Sequence, residues 1–237
     1  MISREEVLRE LGLAPIWRLK RREASVDDVS TSIGSSRVDP RRARISSLAR
    51  DALVSDIAQC RACRLCTTRK HTVPGVGAAD ASWMLVGEAP GADEDAQGEP
   101  FVGAAGQLLD NMLAALGLSR EADVFIANVL KCRPPGNRTP EPLEVAACRP
   151  YLDRQIELVA PSLIVALGRS AACTLLEIDA SVASLRNRVH RYRGTPLVVT
   201  YHPSYLLRTP GDKAKAWEDL LFARRTLREA IALRPRP

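Results

Sequence analysis

Aromatic residues make up only 4% of this 237-residue chain, and histidine occupies only three positions. A core so poor in rings must be packed with aliphatic side chains, which suits a Val/Leu/Ala-rich parallel sheet. No apolar run approaches the roughly 20 residues of a membrane-spanning helix. The N-terminus, MISREEVLRELGL, carries charges every few residues and has no signal-peptide core, so a cytoplasmic protein is expected. Neither nucleotide fingerprint occurs: there is no G-x-G-x-x-G after a strand and no G-K-[ST]. No internal repeat is visible. Six cysteines without a secretion signal argue against a disulfide framework.

What is present centres on Met84–Gly106, MLVGEAPGADEDAQGEPFVGAAG. It opens as the end of a buried strand and breaks at Gly87-Glu88-Ala89-Pro90-Gly91, a turn that no strand or helix runs through. Glu88, Asp93, Glu94 and Asp95 follow within eight positions, and after them comes one ring, Phe101. From Gln107 the apolar spacing is helical, with Gly117 as its stop. The stretch therefore reads as strand, acidic loop and helix, with the loop at the C-terminal edge of a parallel sheet, where open α/β folds place ligands. Clustered carboxylates repel phosphate. They suit a metal ion, a proton to be moved, or a positive charge that develops during reaction.

Charge is unevenly spread. Residues 1–50 hold 11 basic and 7 acidic side chains, residues 51–185 hold 11 and 17, and residues 186–237 hold 12 and 4. An acidic middle beside a basic C-terminal quarter suggests a site flanked by a polyanion-binding surface. Residues 1–20 read as a short helix and 21–45 as a linker, so the expected division is an N-terminal arm, 1–45, and a folded domain, 46–237. A helix is expected from about Ile45 to Ala58. Strands are expected at 82–88, 123–129, 163–168 and 196–202, and helices at 104–116, 141–159, 169–177 and 212–232. This pattern predicts an α/β/α sandwich around a four-stranded parallel sheet. Three of the four strand ends carry polar elements: Glu88, Asn128 and His202.

Cys60-Arg61-Ala62-Cys63 is a C-x2-C pair, Cys66 extends it, and Cys132 and Cys148 lie far downstream. Four such thiolates suit either tetrahedral zinc or a [4Fe–4S] cluster, and spacing does not separate the two.

Taken together, Cys60-x2-Cys63-x-Leu65, VGEAPGADED, GEPFVGAAGQLL, IANVLKCRPPGNRTP, ACRPYL, IVALG and TYHPSYLLR resemble, in order and spacing, the family 4 uracil-DNA glycosylases. The resemblance covers roughly residues 58–225. It implies a monofunctional enzyme, expected to be monomeric, that removes uracil from single- and double-stranded DNA and leaves an abasic site. It implies a [4Fe–4S] cluster on Cys60, Cys63, Cys132 and Cys148, with Cys66 and Cys173 as spectators. Gly87, Glu88 and Ala89 would line the uracil pocket, Phe101 would stack on the base, Asn128 would read its edge, and His202 would sit at O2. Leu206 would lie on the loop that enters the duplex. The wider superfamily often has a catalytic Asp where this chain has Ala89, so a carboxylate must come from elsewhere: Glu94 is expected to orient the water and Glu88 to shape the pocket. The alternative is a non-catalytic iron–sulfur or zinc DNA-binding accessory protein, against which the Asn128, His202 and Phe101 set argues.

Overall fold

The computed structural model describes Glu10 and residues 39–232. The chain divides at Val38 into two units, and the described residues from 39 onward all lie in the second. Apart from Glu10, the helix expected within residues 1–20 lies outside the described residues, as does the linker up to residue 38.

The last part of that expected linker is folded. Asp39 accepts the Arg41 N–H at 2.9 Å and Pro40 opens helix α1, Pro40–Ser46, a favoured helix start. Ile45 is fully buried against Leu53, Ile57 and Tyr151. The single helix expected from Ile45 to Ala58 is instead two: α1 and then α2, Arg50–Gln59. The hydroxyls of Ser46 and Ser47 turn back onto the Ala43 and Arg44 carbonyls at 2.8 Å, the local competition by which serine ends a helix.

The sheet has six strands, not four, and is mixed. In chain order they are β1 (Val76–Gly77), β2 (Trp83–Gly87), β3 (Val124–Asn128), β4 (Leu163–Leu167), β5 (His190–Tyr192) and β6 (Thr195–Thr200). Their spatial order is β1-β3-β2-β4-β6-β5. The four expected strands form the parallel centre, and β1 and β5 add antiparallel edges. Both edges are too short to show a period-2 pattern. β5 returns into β6 through Arg193 and Gly194, whose φ values of 47° and 89° suit a two-residue hairpin turn.

Successive residues of the central strands face opposite sides. Met84, Val86, Ile164 and Ala166 pack against helices α5 (Pro142–Val159) and α6 (Arg169–Leu176). Trp83, Leu85, Leu163 and Val165 pack against α4 (Ala104–Ala115) and α9 (Lys213–Ala232). The acidic loop contains a further short helix, α3 (Ala92–Gln97), and α7 (Val182–Leu185) and α8 (Pro203–Arg208) complete the set. Among the described residues no helix is long and apolar enough to cross a membrane.

Covering both faces leaves the strand ends as the open edge. One buried polar link holds that edge near β6. Asp219 of α9 is fully buried and accepts the Thr200 hydroxyl at 2.8 Å and Arg186 Nε at 2.7 Å. Removing one member of such a buried pair strands the other. Asp219→Ala is therefore expected to destabilise the fold by about 3 kcal/mol, read as a lowered urea midpoint at unchanged slope.

Candidate active site

The parallel register sets the site. Gly87 at the end of β2 lies opposite Asn128 at the end of β3, and the segments after β4 and β6 begin at the same edge. They enclose a cavity of about 510 Å³ whose lining includes Glu88, Asn128, Ser170 and His202. Phe101 closes it from the loop before α4. Six of the sequence-predicted residues, Glu88, Ala89, Glu94, Phe101, Asn128 and His202, line this one cavity, and Gly87 and Leu206 do not.

Gly87 is the close-approach point. A Cβ there would lie 2.4 Å from Asn128 Oδ1 and 2.7 Å from Phe101 Cζ, so only glycine lets ring and amide meet over the strand end. Asn128 is buried, and its Oδ1 has no hydrogen-bond partner in the protein. A buried acceptor left open costs on the order of 1–3 kcal/mol, which a ligand N–H would relieve. Phe101 has φ 56°, a region that costs a bulky residue on the order of 1–3 kcal/mol and is held by its surroundings. Its ring lies 5.5 Å from the His202 imidazole, inclined by 29°.

His202 has a second task as N-cap of α8. Its Nδ1 accepts the Ser204 N–H at 3.1 Å and lies 2.8 Å from the Ser204 hydroxyl. With Nδ1 accepting, the neutral ring must carry its proton on Nε2, a donor available to the cavity. Burial first, and then the nearby Arg208 charge, lower the His202 pKa to about 4.

The carboxylates of the acidic loop differ. Glu94 is committed to the backbone: Oε2 accepts Gly91 N–H at 2.9 Å, and Oε1 accepts Val102 and Gly103 N–H at 3.0 and 3.2 Å. It ties the start of α3 to the segment after Phe101. Asp95 is buried and accepts the Lys70 N–H at 2.9 Å. Burial pushes the Glu88 carboxyl above its ordinary range, with the Ser170 hydroxyl partly offsetting this. The water-orienting role expected of Glu94 finds no support in this arrangement, because its oxygens are the loop's own clamp.

Two further expectations change. Leu206 is fully buried, because α8 packs on α4, and the neighbouring Leu207 is 42% exposed. Leu206 is therefore a packing residue in this structure. The cysteine expectation is also corrected. Cys60, Cys63, Cys132 and Cys148 line one small cavity together with Cys66, yet among the described residues no three His, Cys, Asp or Glu side chains are grouped to hold a metal ion. All six cysteines are free. Burial raises the thiols of Cys63 and Cys132 and pushes Cys148 up to about 12. The donor set does not fit the [4Fe–4S] cluster.

Sequence reasoning missed part of the rim. Gly168, Arg169 and Ser170 after β4 line the cavity, as do Arg138 and Arg208. The signal was Gly168 itself, the one element after the fourth strand end that went unused. It has φ 88°, and a Cβ there would meet His202 Cβ at 2.9 Å.

The profile of the uracil DNA glycosylase superfamily matches residues 74–221. The chain is similar to the type-4 uracil-DNA glycosylase of Archaeoglobus fulgidus, 47% identical over 168 residues that span 68% of this chain and 84% of the relative. It is similar to that of Saccharolobus solfataricus, 41% identical over 195 residues, 78% and 88% of the two chains. The type-4 uracil-DNA glycosylase of Thermotoga maritima is 44% identical over 161 residues, 67% and 83%.

A histidine with a lowered pKa stays neutral through the physiological range. ¹⁵N NMR should show the His202 Nε2–H tautomer at pH 6, with no titration near the ordinary 6.5. Because the folded value lies below the unfolded one, its contribution to stability is complete above about 6.5 and declines as pH falls toward 4. An imidazolium signal at pH 6 would contradict the assignment.

Proposed function

Because the chain belongs to the type-4 uracil-DNA glycosylases of the uracil DNA glycosylase superfamily, we propose that this cavity receives a uracil flipped out of DNA. The protein is a DNA glycosylase of base excision repair. The observation that carries the assignment of the cavity is that Asn128, whose buried Oδ1 has no hydrogen-bond partner in the protein, lines it together with Phe101. An enzyme acting on a base must take it from the stack and hold it between a π-face and polar readers. Asn128 offers one acceptor for N3–H and one donor for O4, a pattern that cytosine mismatches.

As the glycosidic bond breaks, uracil departs as an anion and the sugar becomes cationic. His202 Nε2–H donates to uracil O2, where negative charge develops. Being neutral already, it stabilises the leaving group as a hydrogen-bond donor and not as an acid. The cation needs an anion or an oriented water. We assign that role to Glu88, whose oxygens are not taken up by backbone N–H groups, and leave Glu94 to hold the loop. Among the described residues no lysine lines the cavity, so a Schiff-base strand-cleaving step lacks its amine, and reaction ends at the abasic site. Arg138, Arg169 and Arg208 at the rim supply guanidinium groups for phosphates. Leu207 is the apolar side chain of α8 free to enter the gap that the flipped base leaves.

Single-turnover assays on a uracil-containing oligonucleotide test the chemistry. The wild-type protein should release uracil and leave a strand that breaks only after alkali. Glu88→Gln should lose about a hundredfold in rate with DNA binding retained. Glu94→Gln should lower thermal stability, because one of its oxygens becomes a donor facing N–H groups. If Glu94→Gln alone abolishes chemistry in a fully folded protein, the two roles are reversed.

The wedge is tested separately by comparing substrates. Leu207→Ala should slow excision from duplex DNA while leaving single-stranded DNA nearly unaffected. Leu206→Ala should instead cost about 2–5 kcal/mol of stability, as a core truncation does. Equal loss on both substrates for Leu207→Ala would remove it as the inserted residue.

A further inference from the structure

We infer that Arg120, which lies outside the cavity, is a positioning residue that fixes the Phe101 ring and through it the affinity of the site for the base. The inference rests on the proposed role of the cavity in holding uracil.

Phe101 adopts a left-handed backbone conformation that a bulky residue keeps only where neighbours enforce it. Arg120 supplies that enforcement. Its Nη2 donates to the Phe101 carbonyl at 2.6 Å and its Nη1 to the Pro100 carbonyl at 2.8 Å. Nε donates to Asp110 of α4 at 2.9 Å, and Glu99 lies 3.5 Å from Nη1. The guanidinium thus spans two successive carbonyls of the strained turn, while a carboxylate on a regular helix fixes its other edge. Its side chain is only 13% exposed, so water competes little for these bonds.

Backbone also closes on the same peptide, at Gly106. A Cβ on Gly106 would meet the Phe101 oxygen at 1.8 Å and its carbonyl carbon at 2.2 Å. The Phe101 carbonyl is therefore gripped between Arg120 and the first turns of α4, and only the ring is left to face Gly87, His202 and the cavity. A lysine could not substitute. Its ammonium is a point donor on a flexible stem and cannot span both carbonyls and Asp110 in one plane.

The consequence is specific to base holding. A ring whose backbone is free to leave the left-handed region no longer presents its face at one height, so the stacked base loses contact while His202 and Glu88 stay in place. Arg120→Met and Arg120→Lys, assayed for KM, single-turnover rate at saturation, inhibition by free uracil and thermal melting, test this. Arg120→Met should raise both KM and the inhibition constant for free uracil about tenfold or more, as loss of a stacking platform does. The saturated single-turnover rate should change much less, and Arg120→Lys should fall between. If Arg120→Met does not fold, Asp110→Asn, which removes the anchor and leaves both carbonyl bonds their donor, should show the smaller effect of the same kind. A lowered melting temperature with wild-type KM and uracil inhibition in the folded variants would overturn the inference. Failure of the wild-type protein to release uracil would instead overturn the proposed function, so the two outcomes are separable.

Discussion

The site depends on four strands that run in one direction and stop at one level. Parallel pairing of β2 with β3 and β4, and of β4 with β6, brings a glycine, an asparagine, a second glycine and a histidine to the same edge. The first and the last of them are more than a hundred residues apart in sequence. Strands buried on both faces cannot slip relative to one another without moving apolar side chains out of their layers. The register that packs the core is therefore also the register that aligns the groups lining the cavity, and Gly87 opposite Asn128 is where the two requirements meet.

Much of this was legible in the chain because it rests on local signals. Continuous apolar runs located all four central strands within a residue or two, and the polar residues ending them marked Glu88, Asn128 and His202. Three features were not legible, each for a physical reason. The edge strands β1 and β5 are too short for any period to show and owe their existence to partners already in place. The burial of Leu206 beneath exposed Leu207 depends on how α8 meets α4, a tertiary fact that two adjacent leucines cannot encode. The hydrogen bonds of Glu94 are the third: a run of acids does not show that N–H groups left open by a short helix and a tight turn bond its oxygens. The cysteine spacing misled in another way, since it brought the thiols to one cavity without grouping them as ligands.

The electrostatics follow from the same economy of parts. Burial lowers the His202 pKa and raises that of Glu88, so the same cavity keeps the imidazole neutral and makes the carboxyl more easily protonated. A donor that never becomes cationic is suited to a leaving anion, because it needs no proton from solvent at the moment of bond breaking. On the proposed roles acid reaches the glutamate before the histidine, because burial raises the one pKa and lowers the other.

The N-cap made by His202 has a mechanical result. α8 is only six residues long, with the imidazole bonded into its first turn and Leu207 five residues further on, about 7.5 Å along the axis. Between them Leu206 is fully buried and the Tyr205 hydroxyl donates to Asp212 at 2.7 Å, so the helix is held along its length as well as at its cap. The same six-residue piece therefore begins at a ring that lines the cavity and carries an exposed apolar side chain, Leu207, on its surface.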